Sequence, residues 1–487
     1  MNLQIREINF SHLLEDRSIR FVLIFLMTFL WQFLFLILIS PLVDYDYGDS
    51  IVYKQMGLAL LQGKLLYIDL FDHKGPILYF VHYICLLLGN ERWNLFLLHV
   101  LNYSLATFLM SETVACFIKG WKGLYPIFLG IILYLGLRTY GDSSEDWCIV
   151  PISYALCLGV NVLTLSAGDV PSRRSLILLG LSAGIVLFVR ANNGAIPLCT
   201  FFLILSVDRK NWLKTILYVS LGFFVVLLLV LLYFYLVGGQ NYISAMIYGT
   251  FLFNLSYAAK AHAETVLYET SFFFDYVVIL FALVLFLLFR PLRDNRLVIY
   301  GAGCLILSFL TMGHNGYGHY LIPVIPLYVL LSSISIPGRH WAWCLFLGSV
   351  FLLTKFPLGL LHSNFVNPSR YAQFYEDVDA VVAQISESER SKVWNYNTAF
   401  IGPAIIHRNR IVQCNKVFHQ FQFEYSDWLR EECKDELVKK APEWIVVNES
   451  SNITPQDSAY LSDHYVVKDE VSSAFIGTKV QFYKRKK

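Results

Sequence analysis

Up to about residue 357 the chain alternates long apolar runs with short polar turns. Runs near 20 residues match the length needed to cross a bilayer as helix. The pattern predicts spans at 21–42, 94–118, 123–138, 148–167, 175–190, 193–208, 213–237, 272–290, 297–313, 319–336 and 340–357, about 11 in all. The run 77–89 is too short to cross and is expected to lie at the surface. After Gly238-Gly239, a stretch rich in tyrosine and polar residues is expected to form a loop with interfacial helices. From residue 358 the pattern changes to that of a soluble α/β domain. Alternation at Lys392 to Tyr396, Trp444 to Val447 and Val480 to Tyr483 predicts strands, and the periodicity from Tyr371 to Ile385 and from Tyr425 to Lys440 predicts helices.

Composition agrees with this reading. Hydrophobic residues make up 56% of the 487 and charged residues 15%, more apolar surface than one soluble core buries. The first run is too long for a signal-peptide core and lacks a small-residue cleavage site, so it is expected to remain as a helix. A net charge of +2 spread over loops provides no basic stripe for nucleic acid. Most cysteines fall in apolar runs; Cys414 and Cys433 lie in the polar tail and are placed to pair if that tail is extracytoplasmic.

Basic residues set the orientation, because short cytoplasmic loops retain lysine and arginine. Arg6, Arg17, Arg20, Lys119, Lys122, Arg173, Arg174, Arg209, Lys210, Lys214, Arg290, Arg293, Arg296 and Arg339 are expected inside, with the N terminus. An odd number of crossings then places 358–487 outside. The same parity gathers Asp44, Asp46, Asp49, Glu145, Arg190, His314 and His319 at the outer helix ends. Ionised groups at a lipid boundary are costly unless they face water or a partner, so this gathering points to a polar site.

Within the first outer loop, 43–93, Asp49 opens a segment with apolar positions at Ile51, Val52, Met56, Ala59 and Leu60, read as an amphipathic surface helix. Asp49 is either a reactive carboxylate or an N-cap. Asp72, His73 and Lys74 precede Pro76, a suitable first residue for the short surface helix. Arg190 interrupts a strongly apolar helix, either as an anion ligand or as a snorkelling helix-end arginine. Glu145 orients an acceptor or caps a helix; His319 is a donor to substrate or a satisfied buried residue.

The order of Asp49 to Tyr53, the string Phe71-Asp72-His73-Lys74-Gly75-Pro76, Glu145, Arg190 and Gly318-His319-Tyr320 resembles the GT-C membrane glycosyltransferases. The resemblance is to the protein O-mannosyltransferase and lipid A aminoarabinose transferase branch, over residues from about 21 to 360. It implies a transmembrane GT-C domain over 1–357, followed by the extracytoplasmic domain 358–487. It implies transfer of a sugar from a polyprenyl phosphate donor to a glycan, lipid or protein acceptor on the outer face of the cytoplasmic membrane. Asp49 matches the family's catalytic aspartate and Lys74 its loop lysine, while Asp44 and Asp46 crowd the same stretch.

The residue types suit that chemistry. A hydroxyl acceptor needs a carboxylate to take its proton, for which Asp49 is the first choice, with Asp46 and Glu145 beside it. The departing phosphate needs fixed cations or donors, for which Lys74, His73, Asp72, Arg138, Arg190, His319 and Tyr320 are the candidates. Metal dependence is left open by the sequence, because carboxylates near a phosphate act with or without a divalent ion; Asp49 and Glu145 are the pair that would share one. Competing readings are another polyprenyl-linked glycan enzyme, such as an O-antigen ligase or phosphotransferase, a transporter, and an assembly protein. A transporter would place charges or broken helices at mid-membrane depth.

Overall fold

The computed structural model describes residues 16–36, 38–43, 46, 48–137, 141–164, 170–256, 295–311, 318–335, 368–396, 401–418, 426–448, 455–473 and 477–487. The expected spans 272–290 and 340–357, with Arg138, His314 and Asp44, lie outside these residues.

Eleven helices precede the polar tail among the described residues: α1 (Arg17–Phe35), α2 (Gly48–Leu61), α3 (Pro76–Leu87), α4 (Glu91–Ala115), α5 (Leu124–Gly136), α6 (Ile149–Thr164), α7 (Arg173–Arg190), α8 (Ala195–Val207), α9 (Trp212–Ile247), α10 (Asn295–Thr311) and α11 (Ile325–Ser335). Five helical stretches are long and apolar enough to cross a membrane: those of α1, α4, α6, α7 and α9. The chain is a multi-pass membrane protein. Leucines 213, 217, 221, 228, 229, 232 and 236 of α9 are exposed, as a helix facing lipid requires.

One apolar core joins α1, α4, α5, α6, α7, α10 and α11. A second joins α2 and α3 to α7 and α9. Helices α7 and α9 run in close contact, and a Cβ at Gly180 would overlap the Val219 carbonyl. A small residue at such a crossing lets two backbones approach without a gap.

The first loop departs from the expected surface arrangement. Helix α2 is not amphipathic: every residue from Ser50 to Ala59 is buried. Its polar residues are matched by partners brought from far along the chain. Lys54 pairs with Asp46 at 2.5 Å, and the Gln55 amide donates to Gln413 Oε1 at 2.7 Å and to the Ile411 carbonyl at 3.0 Å. The segment 407–418 therefore covers the face that the sequence pattern assigned to water. Helix α3 has 12 residues, about 18 Å of helix, too short to cross.

Helix α9 continues past the expected end of its span. It kinks at Gly239, where φ is +69°, then runs to Ile247 and into a π-turn, Tyr248–Leu252. The first helix stops early, at Phe35, short of the expected end at residue 42, and Leu36 follows it in extended backbone.

The polar tail contains α12 (Pro368–Val382), α13 (Glu387–Arg390), β1 (Val393–Tyr396), α14 (Ile401–Arg408), α15 (Asp427–Lys440), β2 (Trp444–Asn448), α16 (Pro455–His464), β3 (Tyr465–Ser473) and β4 (Thr478–Arg485). The strand order is β1-β2-β4-β3, with β1 and β2 parallel and the other pairs antiparallel. Helices α12 and α14 pack on one face of the sheet, α15 and α16 on the other. Strand β3 was not legible in the sequence: most of its residues are exposed or half-buried, and its pairing with β4 shifts between Val467 and Asp469. Cys414 and Cys433 are free thiols packed against one small apolar cluster.

Candidate active site

The Asp72-His73-Lys74-Gly75-Pro76 string fixes the centre of the site through its backbone. Pro76 opens α3, where its missing amide hydrogen costs nothing. Gly75 lies directly against the end of α7: its amide donates to the Val189 carbonyl at 3.1 Å, and a Cβ there would overlap the Phe188 carbonyl. This close approach sets Lys74 beside the last residue of α7, Arg190. The preceding residue, Phe71, donates its amide to the Lys416 carbonyl at 2.9 Å, so the tail holds the other end of the string.

Lys74 lies between two carboxylates, with its ammonium 3.7 Å from Asp49 Oδ2 and 3.9 Å from Asp72 Oδ1. The two acids differ in kind. Asp72 is buried, accepts from the Tyr79 hydroxyl at 2.7 Å and has His73 Nδ1 at 3.3 Å. Burial would raise its carboxyl, but Lys74, His73 and Tyr79 outweigh burial and hold it well below the usual carboxylate range. Asp49 instead leaves 34% of its side chain accessible and accepts from Tyr53 at 3.0 Å, one turn further along α2. Burial pushes its carboxyl up, while the charges of Lys74, His319 and Arg190 pull it down further, to about 2. Asp49 is therefore an ion at neutral pH, reachable and not saturated by partners.

The histidine of the string is structural in its contacts. Burial, then the Lys74 charge, lowers His73, which leaves it neutral near pH 7. Its carbonyl accepts from Asn254 at 2.7 Å. Lys74 is raised above its ordinary value despite burial, because Asp49 and Asp72 favour the ammonium.

Opposite Lys74 stands Arg190. At this residue the backbone leaves helical geometry (φ −160°, ψ 100°) and turns into the single turn Ala191–Asn193. The guanidinium contacts Glu145 Oε1 at 2.9 Å, donates to Ser144 Oγ at 2.9 Å and to Asn192 Oδ1 at 3.2 Å, and lies 4.7 Å from the centre of the Tyr320 ring. Cation and ring attract at that distance. His319 and Tyr320 enter from the short helix Gly318–Val324, with ring centres 4.6 Å apart.

The structure thus brings together Asp49, Asp72, His73, Lys74, Glu145, Arg190, His319 and Tyr320. It does not bring Asp46 with them: that carboxylate faces Lys54 in a separate cleft. The acidic stretch 142–146 divides in the same way. Asp146 is buried among the hydroxyls of Tyr103, Tyr134 and Ser143, and Asp142, in left-handed backbone at φ +59°, contacts Ser50, Trp147 and His82. These two acids tie α2, α3, α4 and α5 to the loop before α6. Only Glu145 meets the cationic centre. Tyr53, Tyr79, Ser144, Asn192 and Asn254 were not singled out as partners from sequence; of these only Tyr53 carried a signal, its spacing of four from Asp49 on one helix face.

A divalent ion between Asp49 and Glu145 does not match this donor set. Each carboxylate already faces a side-chain cation, Lys74 or Arg190, and hard divalent ions need several uncommitted oxygen ligands. Among the described residues no group of three or more histidine, cysteine, aspartate or glutamate side chains could hold a metal.

The helical bundle that carries these residues has a GT-C-type fold, shown by its similarity to solved structures. The chain is similar over 96% of its length to ArnT from Cupriavidus metallidurans, solved bound to undecaprenyl phosphate and in the apo state. Each has a TM-score of 0.59 and 12% identity, with 97% and 98% of those chains covered. A weaker overlap, TM-score 0.47 at 12% identity, links 88% of this chain to 69% of the Archaeoglobus fulgidus oligosaccharyltransferase. No protein-family model and no curated protein matches the sequence.

Proposed function

We propose that the protein is an inverting glycosyltransferase that moves a sugar from a polyprenyl phosphate donor to a hydroxyl or similar acceptor on the outer face of the cytoplasmic membrane. The observation that carries this reading is Asp49: a reachable carboxylate, ionised at neutral pH, set 3.7 Å from a lysine that is itself held by a buried second acid. The similarity of fold to a chain solved with undecaprenyl phosphate supports the donor class.

Lys74 and Arg190 bind the donor phosphate from two sides. The acceptor hydroxyl donates to Asp49, which takes its proton as the oxygen forms its bond to the anomeric carbon. On the opposite face the bond from that carbon to the phosphate oxygen breaks, and its electron pair leaves on the phosphate. The two cations stabilise the developing charge, so no general acid is required. One displacement inverts the anomeric configuration. Asp72, His73 and Tyr79 position Lys74; Glu145, Ser144 and Asn192 position Arg190; His319 and Tyr320 donate to the sugar or phosphate. Residues 1–357 form the transfer domain, and the extracytoplasmic unit 358–487 holds the first loop in place.

Consumption of donor tests the class. Membranes containing the protein are expected to consume radiolabelled sugar on a polyprenyl monophosphate and to leave an oligosaccharide on a polyprenyl diphosphate intact. Consumption of the diphosphate alone would move the protein to the ligase class and refute the proposal.

A further inference from the structure

Helix α4 carries the chain away from the first loop, from Glu91 to Ala115, about 37 Å of helix. At its far end a cavity of about 410 Å³ lies between α1, α4 and α5. At roughly 30 Å³ per water it has room for about a dozen waters. Arg20 and Lys119 form its charged lining, Ile118, Leu124 and Ile127 its apolar wall, and among the described residues no acid lines it. We propose that this cavity binds the headgroup phosphate of an anionic phospholipid.

The charges around it call for an anion. Arg17 and Arg20 share a single carboxylate, that of Glu112, while Asp16 spends its own on the amides of Ser18 and Ile19, at 2.8 and 3.2 Å. Lys119 and Lys122, in the stretch after α4, make no ion pair among the described residues. Four permanent cations thus stand against two acids, and the surplus is the pair of lysines. Arg20 is held in place by Glu112 and by the Phe108 ring, whose centre is 5.5 Å away, with only 14% of its side chain exposed. Its Nε is buried without a hydrogen-bond partner. An unpaired buried N–H costs free energy, and a phosphate oxygen is the acceptor it lacks.

The surroundings select a lipid. The helices that wall the cavity expose Val22 and Leu26 of α1, Leu105 of α4 and Phe128 of α5, so acyl chains have an apolar face to lie against. Beyond Ile127 the space between the same helices narrows to about 20 Å³, too small for a chain. The chains therefore stay in the bilayer and only the headgroup enters. The basic residues at this end are among those expected to face the cytoplasm, where the leaflet is rich in anionic lipid. A phosphate between Arg20 and Lys119 would tie the start of α1 to the turn from α4 to α5, far from Lys74 and Arg190.

The test titrates the full-length protein, stripped of lipid in a non-ionic detergent, with dioleoyl phosphatidylglycerol or dioleoyl phosphatidylcholine and counts bound lipid by native mass spectrometry. Phosphatidylglycerol is expected to bind at least about fivefold more tightly. Lys119→Gln should weaken it about fivefold, the worth of one cation near a membrane surface, and Lys119→Arg should retain it. Lys210→Gln, at the end of another helix, should leave it unchanged. Arg20→Gln tests the opposite wall, with its melting temperature read alongside because Arg20 also pairs with Glu112; Lys119 has no such contact, so its variant keeps the test valid if Arg20→Gln fails to fold. Lipid bound at Lys74 and Arg190 would not respond to Lys119. Equal binding of the two lipids, no change with Lys119→Gln, or an equal loss with Lys210→Gln overturns the proposal. So does an adduct that depends on Lys119 but forms with inorganic phosphate or polyprenyl phosphate and not with phosphatidylglycerol.

Discussion

Two aspartates three positions apart, Asp46 and Asp49, carry different roles, and the difference arises from their partners. Asp46 is closed in with Lys54, and Asp49 faces a lysine it must share. Nothing in the local sequence separates them, because the partner that fixes Asp46 lies on the next turns of α2 and the wall behind it comes from residue 407 onward. In the free enzyme the cations hold Asp49 near 2, so the acid limb of kcat/KM should stay flat from neutral pH down to about pH 4. A bound donor phosphate draws on Lys74 and Arg190, which removes attraction from Asp49 and raises its carboxyl. The acid limb of kcat should therefore appear at higher pH than that of kcat/KM. Coincident limbs in the two profiles would show that Asp49 does not share its cations with the donor.

Among the elements, the helices behind five of the expected spans and the strands β1, β2 and β4 were legible from periodicity, since a run of apolar residues and an alternating strand bury surface in only one way each. Helix α2 was not, because its polar positions Lys54 and Gln55 read as a solvent face when their partners lie hundreds of residues away. That burial has a measurable consequence. Lys54→Met leaves Asp46 without its nearest cation and should lower stability, by at most about 3–5 kcal/mol because Arg92 and His407 still act on it, and adding Asp46→Leu should restore much of the loss. Thermal unfolding of the two variants in detergent checks both steps. The seating of Gly75 on α7 makes a second element-scale prediction. Gly75→Ala pushes the string off the Phe188 carbonyl and shifts Lys74, so transfer should fall by roughly a hundredfold although no charged group is lost. Donor turnover with the variant, compared with its melting temperature, separates displacement of Lys74 from loss of fold.

For the molecule as a whole, the sequence showed which polar residues gather at one end of the bundle but not how they divide. The structure sorts them into the proposed transfer site around Lys74 and Arg190, a bracing cluster around Asp142 and Asp146, and a separate polar cleft that holds Asp46 and Lys54. The division depends on helix packing and on the tail, both remote in sequence from the residues they sort. The account as a whole rests on Asp49 as the proton acceptor in a single displacement. The direct test is release of polyprenyl phosphate by purified protein in proteoliposomes supplied with labelled donor and acceptor, comparing wild type with Asp49→Asn. A loss of at least about a hundredfold in kcat with donor binding retained is the predicted result; turnover close to wild type would contradict it.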